Sequence, residues 1–423
     1  MDVVSYAKVR LLVLFTFAAL ALNACGYSTS SGSAKVPATS AKCESSAVEN
    51  QYVVRMKDGT QKVYKHITRE ALIEKVIEPN LEMVDFAEQD QRVSTPQTPA
   101  ILSAQTQLAV TPDWGQTMVE ANAVWTQSVG GSGVIVAVID SGMERTHPQL
   151  KDQIFVNPGE TGVDSLGRDK ATNGVDDDGN GFIDDVSGWD FDMNRAPVSD
   201  GTGHGTHVGG IIAAAHTSGS QVRGLAPQAK LLPLDFMDDS GSGNISDAIR
   251  AMYYAAAMGA KVVNASWGGA PCSKNLQTAI ADLGARGVLF VSASGNRGIS
   301  LDSQPEYPAA FGMSSQITVG ASTARDYAAI YSNYSTTLVN LVAPGDEITS
   351  TYPGGTTRAL SGTSMATPFV AGAAALLFGL RPHATVTEVK AALLNSVDAG
   401  PFDVETRGRL NVRKAVIEIQ KLP

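Results

Sequence analysis

Four short runs, VIVAVID (134–140), KVVNAS (261–266), GVLFVSAS (287–294) and QITVGAS (316–322), are apolar or small at nearly every position, not at alternate ones. Such runs predict strands buried on both faces, as in a parallel sheet. Between them lie segments with helical spacing, SDAIRAMYYAAAMG (246–259) among them, and GRLNVRKAVIEIQKL (408–422) predicts a closing helix. This alternation predicts an α/β fold, a doubly wound, mostly parallel sheet with helices on both faces. The stretch before it is patterned differently. QYVVRMK and KVYKHI predict two strands joined at Asp58-Gly59, followed by a helix over REALIEKVI and a strand over LEMVDFAEQD. Residues 48–93 therefore form a small α+β unit of their own.

The first 47 residues carry no core pattern. Lys8 and Arg10 precede LLVLFTFAALAL (11–22), which is short for a membrane span and has the length of a signal peptide, expected over residues 1–24. Leu22-Asn23-Ala24-Cys25 resembles a bacterial lipobox, with cleavage before Cys25 and lipid on its thiol; a plain secretory signal is the alternative, Asn23 being a less usual lipobox residue. Residues 25–47, rich in Ser, Thr, Ala and Gly, bury too little apolar surface to fold and read as a flexible tether. A second linker, rich in Gln, Ser, Thr and Pro, is expected over 94–112. The remaining cysteines, Cys43 in the tether and Cys272 a few residues past the KVVNAS run, could form one disulfide in an oxidising compartment, but no pairing between them is expected. A net charge of −10 and the lack of a basic stripe weigh against nucleic acid as a partner.

Candidate chemistry sits at the ends of the apolar runs. VIDSG leaves Asp140 at a strand's C-terminal end, where catalytic groups of open α/β sheets gather. GTGHGTHVGG surrounds His204 with glycines that permit close backbone packing. VSASGN ends in Asn296, whose side-chain amide can donate to a developing oxyanion. SGTSMATP places Ser364 at the start of an Ala-rich helix, where unpaired N–H groups and the helix dipole favour a nucleophile. A serine there is by itself an ordinary cap; four such motifs in this order are not ordinary.

With these motifs the chain resembles the subtilisin-like serine proteases, the subtilases, from about Asp113 to near its C-terminus. The order Asp, His, Ser is that of subtilisin and differs from the orders of chymotrypsin and the α/β-hydrolases. A sedolisin-type relative would carry an acidic residue where Asn296 stands. The resemblance implies a catalytic domain over 113–423 that hydrolyses peptide bonds through an acyl-enzyme. In that reading Ser364 is the nucleophile, His204 its base, Asp140 the residue that orients His204, and Asn296 the oxyanion donor. It also implies that residues 48–93 are an inhibitory propeptide, short for the role, with self-cleavage in the linker. Polypeptide substrates would bind as an added strand between Gly241-Ser242-Gly243 and Ser266-Trp267-Gly268. The first specificity pocket would be lined by Trp267 to Gly269, Ala293 to Gly295 and Glu306 to Pro308. Trp267 reads equally as core. Glu306 would favour Lys at the cleaved position unless Arg297, beside Asn296, pairs with it. A monomer is expected, held to a membrane only through the lipid. The competing reading, a silent surface lipoprotein that keeps this fold for binding, sits poorly with four filled catalytic positions.

The insertion NGVDDDGNGFIDD (173–185) resembles a calcium loop, with Asp176, Asp178 and Asn180 at positions one, three and five and Phe182 at the backbone-carbonyl position. Position twelve is Ser187 instead of Glu, so the remaining ligand must come from Asp184, Asp185 or outside the loop. A structural Ca²⁺ is expected because so many carboxylates repel one another without a cation. Of the other histidines, His207 reads as a satisfied buried residue, and His66, His147, His216 and His383 lack metal-ligand spacing.

Overall fold

The computed structural model describes residues 47–96, 111–125, 130–269 and 271–421. The stretch expected to be a signal peptide, the expected lipidation site Cys25, nearly all of the expected tether and most of the second linker lie outside the described residues. In chain order the N-terminal unit contains β1 (Ala47–Met56), β2 (Gln61–Tyr64), α1 (Arg69–Leu72), which runs on into a wider turn over Ile73–Ile77, and β3 (Val84–Ser94). Next come α2 (Trp114–Met118), β4 (Ile135–Asp140), β5 (Trp189–Asp190), α3 (His204–Ala213), β6 (Lys230–Asp235), β7 (Ser242–Asn244), α4 (Ile245–Ala257) and β8 (Val262–Ala265). The chain continues through α5 (Lys274–Ala285), β9 (Leu289–Ala293), β10 (Gln316–Ser322), β11 (Leu341–Pro344), β12 (Ile348–Tyr352) and β13 (Thr356–Leu360). It closes with α6 (Thr363–Leu380), α7 (Val386–Leu394), β14 (Asp398–Ala399), β15 (Gly408–Arg409) and α8 (Val412–Gln420).

All four apolar runs become neighbouring strands of one sheet, ordered β14-β15-β11-β10-β9-β8-β4-β6-β5, parallel except for the β14–β15 pair. Burial on both faces explains their unbroken hydrophobicity. Along β4, Val136 and Val138 enter the cluster formed with α3, α6, α7 and α8, while Ala137 and Ile139 enter the opposite cluster with α4 and α5. The order of strands reverses direction around β4, so the C-terminal ends of β4, β8 and β9 open onto one crevice, the usual place for a site in such folds.

α6 is long and apolar enough to span a membrane, yet 89% of it is buried inside the protein, so it is the core helix. The N-terminal unit packs its sheet on α4 and α5 through polar contacts at their N-termini. The Glu88 carboxylate accepts from Ser273 Oγ, from Lys274 N at 2.9 Å and from Asn275 N at 3.1 Å, and Asp90 accepts from Ser246 N at 3.0 Å. Each carboxylate thus meets unpaired N–H groups at the positive end of a helix. Burial raises both carboxyl pKa values, the hydrogen bonds opposing it.

Candidate active site

Asp140 ends β4, where the chain leaves the sheet, and is wholly buried. Its Oδ1 accepts from His204 Nδ1 at 2.7 Å and from Ser141 N at 2.8 Å. His204 is the first residue of α3, and Gly205 is what lets that helix start so close to β4: a Cβ there would lie 2.0 Å from the Gly142 carbonyl oxygen. The turn before α3 is held by Asp200, which accepts from Ser141 Oγ (3.0 Å), Gly203 N (2.7 Å) and Thr206 N (2.8 Å). Burial by itself depresses the His204 pKa, but the Asp140 charge and hydrogen bond outweigh it and leave the imidazole above its ordinary 6.5.

Ser364 lies in the first turn of α6, and its main chain and side chain are both tied to Ser266. Pro368 stands four residues on in the same helix and has no N–H, so the Ser364 carbonyl lacks its helical donor. Ser266 Oγ supplies it at 2.9 Å. In return Ser364 Oγ donates to the Ser266 carbonyl at 2.9 Å. Asn296 follows β9; its Oδ1 accepts from Thr363 N at 2.9 Å and Thr363 Oγ1 at 2.8 Å, which points Nδ2 into the crevice beside Ser364. Gly295 permits that turn with φ of 103°, and a Cβ there would lie 2.4 Å from Asn333 Nδ2.

The crevice is filled by the chain itself. β3 pairs antiparallel with β7, Val93 opposite Gly243 and Ser94 opposite Ser242. On its other side Ser94 exchanges backbone bonds with Gly268, at 3.0 Å and 3.5 Å, and Thr95 N donates to Gly241 O at 3.0 Å. The main chain of 92–95 is therefore a strand inserted between 241–244 and 268, with Val93 buried in the core cluster that also holds Phe236, Ile245 and Trp267. At its end the Pro96 carbonyl accepts from Asn296 Nδ2 at 2.8 Å.

A model of the Subtilase family matches residues 131–413 of this chain. The protein belongs to that family. It is 34% identical over 305 residues to thermitase from Thermoactinomyces vulgaris, covering 72% of this chain and 95% of thermitase. It is 35% identical over 303 residues to Subtilisin Savinase of Lederbergia lenta, covering 71% of this chain and 97% of that one. Among solved structures, fervidolysin from Fervidobacterium pennivorans, a keratinolytic enzyme related to subtilisin, aligns with a TM-score of 0.68 at 23% identity, over 88% of this chain and 61% of its own. That likeness shows the fold, and the two sequence relatives make this subtilase a serine endopeptidase.

Around the crevice of the subtilase, packing settles several readings the sequence left open and adds one residue it did not single out. The Trp267 side chain is fully buried, donates to the Ile139 carbonyl at 2.9 Å and packs on Phe236; it is core, and only its backbone segment borders the crevice. Glu306 sits under Gly295, where Arg297 Nη1 donates to its Oε1 at 2.8 Å and Asn333 Nδ2 to its Oε2 at 2.7 Å. Its charge is met within the protein. Asp235, opposite Asp140 in the β4–β6 register, went unnoticed in the sequence; burial, then the neighbouring Asp190, Asp200 and Asp140 charges, push its carboxyl up to about 8. Burial and those charges together favour its neutral form, which would spare Asp140 a second negative charge beside it. His207 is buried, bridges the Ile348 and Arg358 carbonyls through Nε2 and is pushed down to about 3 by burial, as a structural neutral imidazole. Cys272 is half-buried just ahead of α5, and Cys43 lies outside the described residues.

In the acidic loop, six residues expected as metal-facing divide into two groups. Asp178 and Asp185 converge with Glu160, ligand atoms of the three lying within 4.8 Å of one another. Glu160 is wholly buried, and while its Oε1 accepts from Asp177 N at 2.7 Å, its Oε2 has no hydrogen-bond partner. Burial raises its pKa, with the Asp185 and Asp178 charges adding to the rise. Asn180 Nδ2 donates to Asp185 Oδ2 at 2.8 Å, so its amide oxygen faces elsewhere and accepts from Phe182 N. Asp176 instead accepts from the backbone N–H groups of Gly179, Asn180 and Gly181, Asp184 accepts from Gly174 N, and the Phe182 ring packs against Trp189 and Tyr254. An orphaned buried carboxylate oxygen beside two further carboxylates fits a hard, oxygen-seeking cation.

Proposed function

We propose that this endopeptidase works through Ser364 as nucleophile, His204 as general base, Asp140 as the group that fixes His204, and Asn296 with the Ser364 N–H as oxyanion donors. Neutral His204, protonated on Nδ1 toward Asp140, takes the Ser364 Oγ proton on Nε2 as Oγ attacks the peptide carbonyl carbon. The oxyanion gathers on Asn296 Nδ2. Collapse expels the amine with the proton from His204, and water repeats the sequence to release the acid. The observation that carries this reading is the Pro96 carbonyl, a peptide oxygen seated 2.8 Å from Asn296 Nδ2 at the end of a strand bound as a substrate would be. Inhibition of casein hydrolysis by a fluorophosphonate tests it; undiminished hydrolysis would contradict it.

In the same reading residues 48–93 are the propeptide, polypeptides are the substrates, and self-cleavage falls in the linker 94–112. The first pocket accepts large apolar residues. With Glu306 already paired, a preference for Lys is masked, and Arg297→Ala is expected to raise the Lys-to-Phe ratio of kcat/KM about fivefold, equivalent to about 1 kcal/mol. An unchanged ratio on matched peptides would show that Glu306 does not reach the cleaved side chain.

A structural Ca²⁺ belongs with Glu160, Asp178 and Asp185, Glu160 being the ligand from outside the loop. Calcium then raises the thermal midpoint by mass action on the folded state, and Glu160→Gln is expected to remove most of that gain. Equal calcium-dependent shifts in both proteins would exclude the site. Export with a lipid anchor on Cys25 completes the reading: Cys25→Ser is expected to abolish incorporation of labelled fatty acid and to leave an active soluble protease. Absence of label in the wild type would reduce the leader to an ordinary secretory signal.

A further inference from the structure

The strand in the crevice ends on the residue type that cannot complete its ladder. Ser94 pairs with Gly268 through both backbone groups, so antiparallel register sets residue 96 opposite Ser266. An N–H at 96 would donate to the Ser266 carbonyl. Pro96 has none, and Ser364 Oγ donates to that carbonyl instead, at 2.9 Å, while Asn296 holds the Pro96 carbonyl at 2.8 Å. A peptide carbonyl therefore sits at the oxyanion donor while the proton that His204 must remove is committed to a backbone oxygen. Attack needs the opposite arrangement, Ser364 Oγ donating to His204 Nε2.

We propose that Pro96 makes the bond to Gln97 a bond this protease presents to itself and does not cut, so that 92–96 is a brake on the crevice and the maturation cut falls downstream, within 97–112. The proposal rests on the peptidase reading above. It assigns Pro96 as the residue that determines the self-cleavage position. With an N–H restored at 96, the Ser266 carbonyl regains its ladder donor and the Ser364 hydroxyl turns to His204, so that the 96–97 bond is hydrolysed in the ordinary way, water supplying the acid's hydroxyl and the amine's proton.

The test follows the full chain through maturation by N-terminal sequencing and intact mass, for the wild type and for Pro96→Ala. The wild type is expected to carry its new N-terminus beyond Gln97. Pro96→Ala is expected to cut at 96–97 and to mature about tenfold faster, since one positioning contact commonly changes a rate by that factor or more. Full chains carrying Ser364→Ala, with and without Pro96→Ala, offered to the mature enzyme in trans give the same comparison without self-processing. A wild-type cut after Pro96, or the same cut at the same rate in both proteins, would overturn the brake. Peptide hydrolysis and fluorophosphonate labelling measured alongside separate the two levels: an active enzyme with an unchanged cut removes the brake alone, whereas inactivity of both proteins removes the peptidase reading and the brake with it.

Discussion

Ser364→Ala is expected to lower kcat for peptide hydrolysis by on the order of 10⁶-fold, the loss measured for the nucleophile of a subtilisin, and to leave the linker 94–112 uncut. The loss is large because nucleophile and base act as one unit, and removing either costs nearly as much as removing all. Ser266 Oγ, the nearest serine partner, is spent on the Ser364 carbonyl that Pro368 leaves without a helical donor. The same substitution removes one hydrogen bond, Ser364 Oγ to Ser266 O, and adds no bulk, so the fold persists and the assay reports chemistry. Casein hydrolysis near the wild-type rate would refute the assignment, and normal processing would refute self-cleavage.

Asn296→Ala is expected to lower kcat by about 10²- to 10³-fold with KM changed little, the cost of one oxyanion donor, again measured on a subtilisin. Here the residue has a second duty. Its Oδ1 accepts from both Thr363 N and Thr363 Oγ1 at the start of α6, so the alanine variant also loses part of that helix's N-terminal support. A thermal midpoint measured beside the kinetics separates the two effects. Asn296→Asp keeps the acceptor while losing the donor, and it is expected to keep more stability than alanine with the same kinetic defect. An equal rise in KM and no change in kcat would instead make Asn296 a binding residue.

The parts of this architecture that repeat locally were legible in the sequence. Unbroken apolar runs announced strands buried on both faces, and all four lie side by side in the sheet. Asp140, His204 and Ser364 each stand at an element's end, where a turn signal marks the boundary. What was not legible depends on residues far apart in the chain. Glu160 belongs with the acidic loop only because the short turn Pro158–Glu160 folds against it, and no spacing rule links the two. Trp267 has an apolar neighbourhood whichever face it takes, so only packing on Phe236 decides that it is core. The pairing of Glu306 with Arg297 was open in the sequence, and Asn333 was not suspected at all. Asp235 looks like any strand-end carboxylate until three others gather around it. Pro96 in a linker rich in Pro, Gln and Thr is unremarked until the ladder shows which rung it occupies.

The central claim is that Ser364 is the activated hydroxyl of a peptidase. The most direct measurement is mass spectrometry of the processed protein after reaction with a fluorophosphonate, with the adduct located by fragmentation. The account predicts a single modification, on Ser364, that is lost in His204→Ala chains processed in trans by the wild-type enzyme. Labelling spread over other serines, or none in a protein that still hydrolyses peptides, would contradict it.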